Sequence, residues 1–148
     1  MRWAAAVLIA AAVIFTAVPA QAAPASPAAI SNAALGWAES HEIGRPYVWG
    51  GTGPYGYDCS GAIVAAFGHL GVALPHNTVA MIRSGKLVRV YYPRRGDLAF
   101  FGSPYAPSHV EFVTRWYHTT FGAAHSGTLV WWHRWNGWWA PSSFWRVV

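Results

Sequence analysis

A single cysteine in 148 residues excludes an internal disulfide and leaves no C-x-x-C spacing for a zinc centre, while the length suits one domain with a sizeable core. The formal charge is +5, from 10 Lys and Arg against 5 Asp and Glu. That balance favours anionic surroundings such as a cell-wall polymer, but no basic run interleaves with aromatics as a nucleic-acid groove would, so no nucleic-acid partner is expected.

The chain opens with Met1-Arg2, an uncharged run from Trp3 to Val18, and the small-x-small triplet Ala20-Gln21-Ala22. This is the pattern of a secretory signal peptide over residues 1–22, with cleavage after Ala22 or Ala23. The apolar run is shorter than the ~20 residues a spanning helix needs, so no transmembrane span is expected after cleavage, and the mature protein is expected to be secreted, extracellular or cell-wall associated. Residues 23–29 read as a flexible leader, with Pro24 and Pro27 stopping any helix that leaves the signal. Residues 30–148 read as one domain.

Ile30, Ala34, Trp37 and His41 recur at helical spacing, and Gly44 can close that helix. The glycine-rich stretch "RPYVWGGTGPYGY" predicts a loop that lets backbone approach closely. Asp58 stands at an N-cap position before a second helix, whose stripe is Ile63, Val64, Phe67 and Leu70 and whose end is Gly71. A third, short helix is predicted between Asn77 and Gly85. From Leu87 the period changes to two, and "KLVRVYY", "GDLAFFG", "SHVEFVTRW", "HTTFGAAHSG" and "TLVWWHRW" read as strands. Helices first and strands after predict an α+β fold with a mostly antiparallel sheet.

Cys59 falls in the first turn of the second helix. A free cysteine is often an inert buried thiol. This one faces unpaired backbone N–H groups and the positive end of a helix dipole, which favour the thiolate and can hold a developing oxyanion. A nucleophilic cysteine needs a histidine brought near in space, and seven histidines are available. His109 opens a strand after a proline-marked loop and shares a strand face with Glu111 and Val113. Spacing alone does not separate His109 from His118 or His125.

The series "PYVWGG", "DCSG", "RRGDLAFF", "SHVEFV" and "AAHSG" resembles the NlpC-type cell-wall cysteine peptidases of the papain-like group, over about residues 33–126. The resemblance implies a papain-like fold and cleavage of peptidoglycan stem peptides, at the bond between D-isoglutamyl and the next diamino acid. It places the nucleophile on Cys59 and the base on His109. Tyr47 matches a tyrosine that can donate to the oxyanion. Asp58 and Ser60 match positions that meet the substrate, and Trp49 reads as cleft wall. The "GD" of Gly96-Asp97 reads as a structural turn. No metal or organic cofactor is implied.

The family's third member lies about a dozen residues after the base and orients the imidazole, expected here through Nδ1–H. Counting from His109 reaches Phe121 or Gly122, and neither can serve. His125 is favoured for that role and His118 is the alternative, with Glu111 close by. The gap keeps two other readings open, a non-catalytic wall-binding module and an amidase or acyltransferase using the same pair. Asp97 and Glu111 as a glycosidase pair finds little support among 5 acidic residues. In the tail, Trp131, Trp132, Trp135, Trp138, Trp139 and Trp145 are expected mainly in core packing, with Trp138 and Trp139 exposed around the Asn136-Gly137 turn; sugar stacking is the functional alternative.

Overall fold

The computed structural model of the protein describes residues 25–116 and 118–148. The expected signal peptide and its expected cleavage point lie outside the described residues. Three helices come first: α1 (Pro27–His41), α2 (Cys59–His69) and α3 (Thr78–Arg83). Six strands follow: β1 (Leu87–Val90), β2 (Leu98–Ser103), β3 (Ala106–Val113), β4 (Thr119–Gly122), β5 (Trp131–Arg134) and β6 (Ser143–Val147). They form one antiparallel sheet in the order β1-β6-β2-β3-β4-β5. The α+β architecture with helices packed on an antiparallel sheet is as the sequence predicts. Among the described residues no helix is long and apolar enough to cross a membrane.

Two elements differ from expectation. Residues 27–29 are not leader but the first turn of α1. Pro27 sits where its missing N–H costs nothing, and the Ser26 hydroxyl accepts the Ala29 N–H. The last strand, β6, has no counterpart in the sequence reading. It inserts between β1 and β2, pairing Val147 with Leu87 and Trp145 with Leu98.

The core joins α2 to the sheet. Ala62, Ile63, Ala66 and Phe67 face Phe100, Val110, Phe112 and Phe121, all fully buried. The Phe67 and Phe112 rings lie 5.9 Å apart. Truncating a ring so placed costs about 3–5 kcal/mol. This contact fixes α2 against β3, and with it the relation of Cys59 to His109. A second fastening lies at the start of β2. Asp97, fully buried, accepts the Arg94 N–H at 2.7 Å and two bonds from the Arg146 guanidinium at 2.7 Å each. Arg146 thereby pins β6 to the turn before β2. Gly96 in that turn has φ +90°, and a Cβ there would come 2.2 Å from the Ser31 carbonyl oxygen of α1.

Candidate active site

The N-terminus of α2 is assembled around one carboxylate. Asp58 Oδ1 accepts the Gly61 N–H at 2.7 Å, the Ser60 hydroxyl at 3.2 Å and His76 Nε2 at 2.8 Å. Its Oδ2 accepts the Gly50 N–H at 2.9 Å. Asp58 therefore caps the helix and ties the preceding loop to it. Burial works against its charge, but the bonds from His76, Gly61 and Gly50 prevail and hold the carboxyl below its usual range. The glycines make the fit. A Cβ on Gly61 would lie 1.9 Å from the Gly51 carbonyl oxygen, so the loop rests directly on the first turn of α2. Cys59, half-buried, stands at that turn.

β3 supplies the opposite wall. Alternation along the strand turns His109 and Glu111 to one face while Val110 and Phe112 enter the core. His109 Nε2 lies 3.1 Å from Glu111 Oε1. That leaves Nδ1 as the ring nitrogen for the thiol, the reverse of the orientation expected from the sequence. Burial disfavours the imidazolium, but a side-chain hydrogen bond with Cys59, another with Glu111, and the charges of both raise the His109 pKa to about 9. Glu111 is itself buried, which alone would raise its pKa. The histidines beside it reverse that and lower it to about 2. The Thr120 hydroxyl donates to Glu111 Oε2. His133 Nδ1 stands 2.9 Å from Oε1, without the alignment of a hydrogen bond.

The partner of His109 is thus Glu111, and neither His125 nor His118 takes that place. His125 lines the cleft but is exposed, and its Nδ1 bonds the Ser126 carbonyl at 2.9 Å. His118 sits in a different groove, beside Thr114 and Trp135, with its ring 4.0 Å from that of Trp135. Gly122, one of the two positions that counting from His109 reaches, leaves room for the exchange. A Cβ there would lie 3.0 Å from Glu111 Cγ, so the glutamate side chain fills that space.

Between the two walls lies a cleft of about 720 Å³. Tyr47 lines it, its phenol held protonated by burial and by the nearby charges of Cys59 and Asp58. Trp49 stands at its rim, 86% exposed. Asp58 and Ser60 also line it, but their polar atoms are engaged with the helix cap and His76. Sequence reading missed His76, His133 and Thr120. His76 showed only as a residue before a cap, and His133 only as part of a strand; the pairing of each is made by the fold.

Residues 44–115 match the NlpC/P60 family. A probable endopeptidase of Mycobacterium bovis is 42% identical over 62 residues, which are 42% of this chain and 16% of that protein. The gamma-D-glutamyl-L-lysine dipeptidyl-peptidase of Bacillus cereus is 32% identical over 71 residues, 48% of this chain and 21% of that protein. The matched stretch is thus a minor part of either relative's length. Among solved structures, the NlpC/p60 domain of the peptidoglycan hydrolase SagA superposes with a TM-score of 0.66 at 31% identity, covering 80% of this chain and 97% of that domain. RipD of Mycobacterium tuberculosis, described as a non-catalytic NlpC/p60 domain protein adapted to peptidoglycan binding, gives a TM-score of 0.64 at 25% identity over 80% of this chain and 98% of its own. With the SagA domain matched almost end to end and the family's motifs gathered on one cleft, the chain belongs to the NlpC/P60 family.

Proposed function

We propose that this protein is an exported cysteine peptidase that hydrolyses an amide bond in peptidoglycan stem peptides, between D-isoglutamyl and the next diamino acid. The reading rests on one observation above all. Cys59, at the N-terminus of a helix packed on the core, shares one cleft with His109, whose Nε2 is held 3.1 Å from the buried, ionised Glu111. The name of the Bacillus cereus relative supports the choice of bond.

In this mechanism His109 takes the Cys59 proton, the thiolate attacks the amide carbonyl carbon, and a C–S bond forms as the carbonyl π electrons move onto oxygen. The oxyanion is met by the Cys59 backbone N–H and by the Tyr47 hydroxyl, which stays a donor because its proton is held. His109 gives its proton to the leaving amine as the C–N bond breaks. Water, deprotonated by His109, then attacks the thioester and releases a carboxylic acid and the free thiol. Glu111 keeps the ring in place and compensates its charge throughout.

A non-catalytic wall-binding role was suggested by the empty third position. Glu111 in contact with His109 supports the catalytic reading over it. The thiol chemistry is tested by alkylation with iodoacetamide near neutral pH. Cys59 is expected to react much faster than free cysteine and to slow in His109→Ala. Equal rates in both proteins would refute an activated nucleophile.

A further inference from the structure

Neither the core nor the proposed chemistry uses the exposed part of the tryptophan-rich tail. Trp132 and Trp145 do pack on the core, but the loop between β5 and β6 sends two indoles outward. Asn136 Oδ1 accepts the Trp138 N–H at 3.1 Å, and Asn136 and Trp139 form an antiparallel bridge, so the turn is held by its own backbone. Trp139 lays one face on Phe101, with ring centres 5.4 Å apart at 12°, and stands 6.4 Å from the His109 ring. It lines the cleft and remains 48% exposed. Trp138, next in the chain, is 89% exposed. From the Cys59 side of the same cleft, Trp49 presents another open indole on a loop anchored by the Gly50–Asp58 bond.

Single exposed hydrophobics are ordinary, but large aromatics gathered at one cleft mouth mark a binding surface. The chemistry of the surface narrows the ligand. From Trp135 to Ser143 the chain carries no charge, so the indoles themselves do not select an anion, although Arg134 lines the same cleft. A flat indole with one N–H at its edge suits the apolar face of a pyranose ring, whose polar groups point sideways into water. A stem peptide is joined at one end to such a sugar, so a stem peptide bound in this cleft would bring that sugar to its mouth.

We propose that Trp139 and Trp49 at the cleft mouth, extended by the exposed Trp138 next to Trp139 in the chain, form a stacking platform for the N-acetylhexosamine rings of the glycan that carries the stem peptide. The identity of the sugar rests on the peptidase reading; the existence of the platform does not.

Two measurements test it. In the first, Cys59→Ala protein is titrated with the β-1,4 tetramer of N-acetylglucosamine and followed by tryptophan fluorescence. Saturable binding is expected, weakened about fivefold or more by adding Trp138→Ala, with unchanged thermal melting because the side chain lies in solvent. In the second, wild type and Trp138→Ala cleave a sugar-free stem tetrapeptide and the same peptide on its disaccharide. The variant should lose about fivefold in kcat/KM on the glycosylated substrate only. Absence of sugar binding, equal losses on both substrates, or a fluorescence response to phosphatidylglycerol vesicles in place of the sugar would overturn the platform. If wild type cleaves neither peptide, the peptidase reading fails, and the sugar titration still decides this one.

Discussion

Glu111 fills the space that Gly122 leaves empty, its Cγ only 3.0 Å from where a Cβ at Gly122 would stand. The two residues face each other across the β3–β4 pair, one with a long acidic side chain and one with none. The group that steadies His109 therefore comes from its own strand, two residues on. Glu111→Ala is expected to lower kcat by roughly 10²–10⁴-fold, as loss of an orienting carboxylate does elsewhere. Adding Gly122→Glu to that variant should return about tenfold or more, because a carboxylate then reaches the same ring from β4. A Glu111→Ala enzyme with normal kcat and an unchanged pH profile would remove Glu111 from this role.

The pH dependence follows from the same contact. His109 is raised from 6.5 to about 9, so it keeps the proton needed by the leaving amine until that pH. The kcat/KM profile should fall as pH rises through about 9. Glu111→Gln removes the charge that supports the imidazolium and should move that alkaline limb down by about one unit or more. A limb that does not move would assign it to another group.

Stability should track the pair as well. A raised histidine contributes stability in full below its unfolded pKa of 6.5 and loses it as pH rises through about 9. Glu111, lowered from 4.5 to about 2, contributes above 4.5 and loses its share as pH falls toward about 2. Both contributions are complete between pH 4.5 and 6.5. Denaturant midpoints across pH should show that plateau in wild type and a weaker one in Glu111→Gln.

Glu42 has the opposite sign. It closes α1, is fully buried, and neither carboxyl oxygen has a hydrogen-bond partner. Burial pushes its pKa from 4.5 up to about 9. The folded protein must hold a proton that the unfolded chain releases, so stability declines as pH rises from 4.5 toward 9. Glu42→Gln should stabilise the protein at pH 7 by about 1–3 kcal/mol and change little at pH 4, as read by thermal melting. A loss of stability at pH 7 would show that the carboxyl has a role in the fold.

Gly61 is a steric prediction. With the Gly51 carbonyl oxygen 1.9 Å from its virtual Cβ, Gly61→Ala must push the loop off α2 and strain the Gly50–Asp58 tie. A destabilisation on the order of 2–4 kcal/mol is expected, together with slower alkylation of Cys59 in the fraction that remains folded. Wild-type melting and wild-type thiol reactivity would contradict it.

What the sequence made legible was local. Asp58 as a cap, Cys59 in the first turn of α2, and His109 and Glu111 on one strand face are set by spacing within a few residues, and each appears as read. The same alternation that put Glu111 beside His109 was on hand to name the orienting group. Family spacing drew attention instead to the region after Gly122, and so to His125. Long-range relations were not readable. β6 is a strand because Leu87 and Leu98, far back in the chain, offer it edges. His76 reaches Asp58 across 18 residues, and His133 reaches Glu111 from two strands away in the sheet. The tail divides as its amphipathic indoles allow, with Trp132 and Trp145 packed inward and Trp131, Trp138 and Trp139 left at the surface.

The most direct test of the central claim is digestion of purified peptidoglycan by the mature protein and by Cys59→Ala, with released fragments identified by mass spectrometry. Wild type should release fragments whose masses place the cut between D-isoglutamyl and the diamino acid, and Cys59→Ala should release none. If neither protein releases fragments while both sediment with the wall, the protein binds peptidoglycan without cutting it and the proposed activity is wrong.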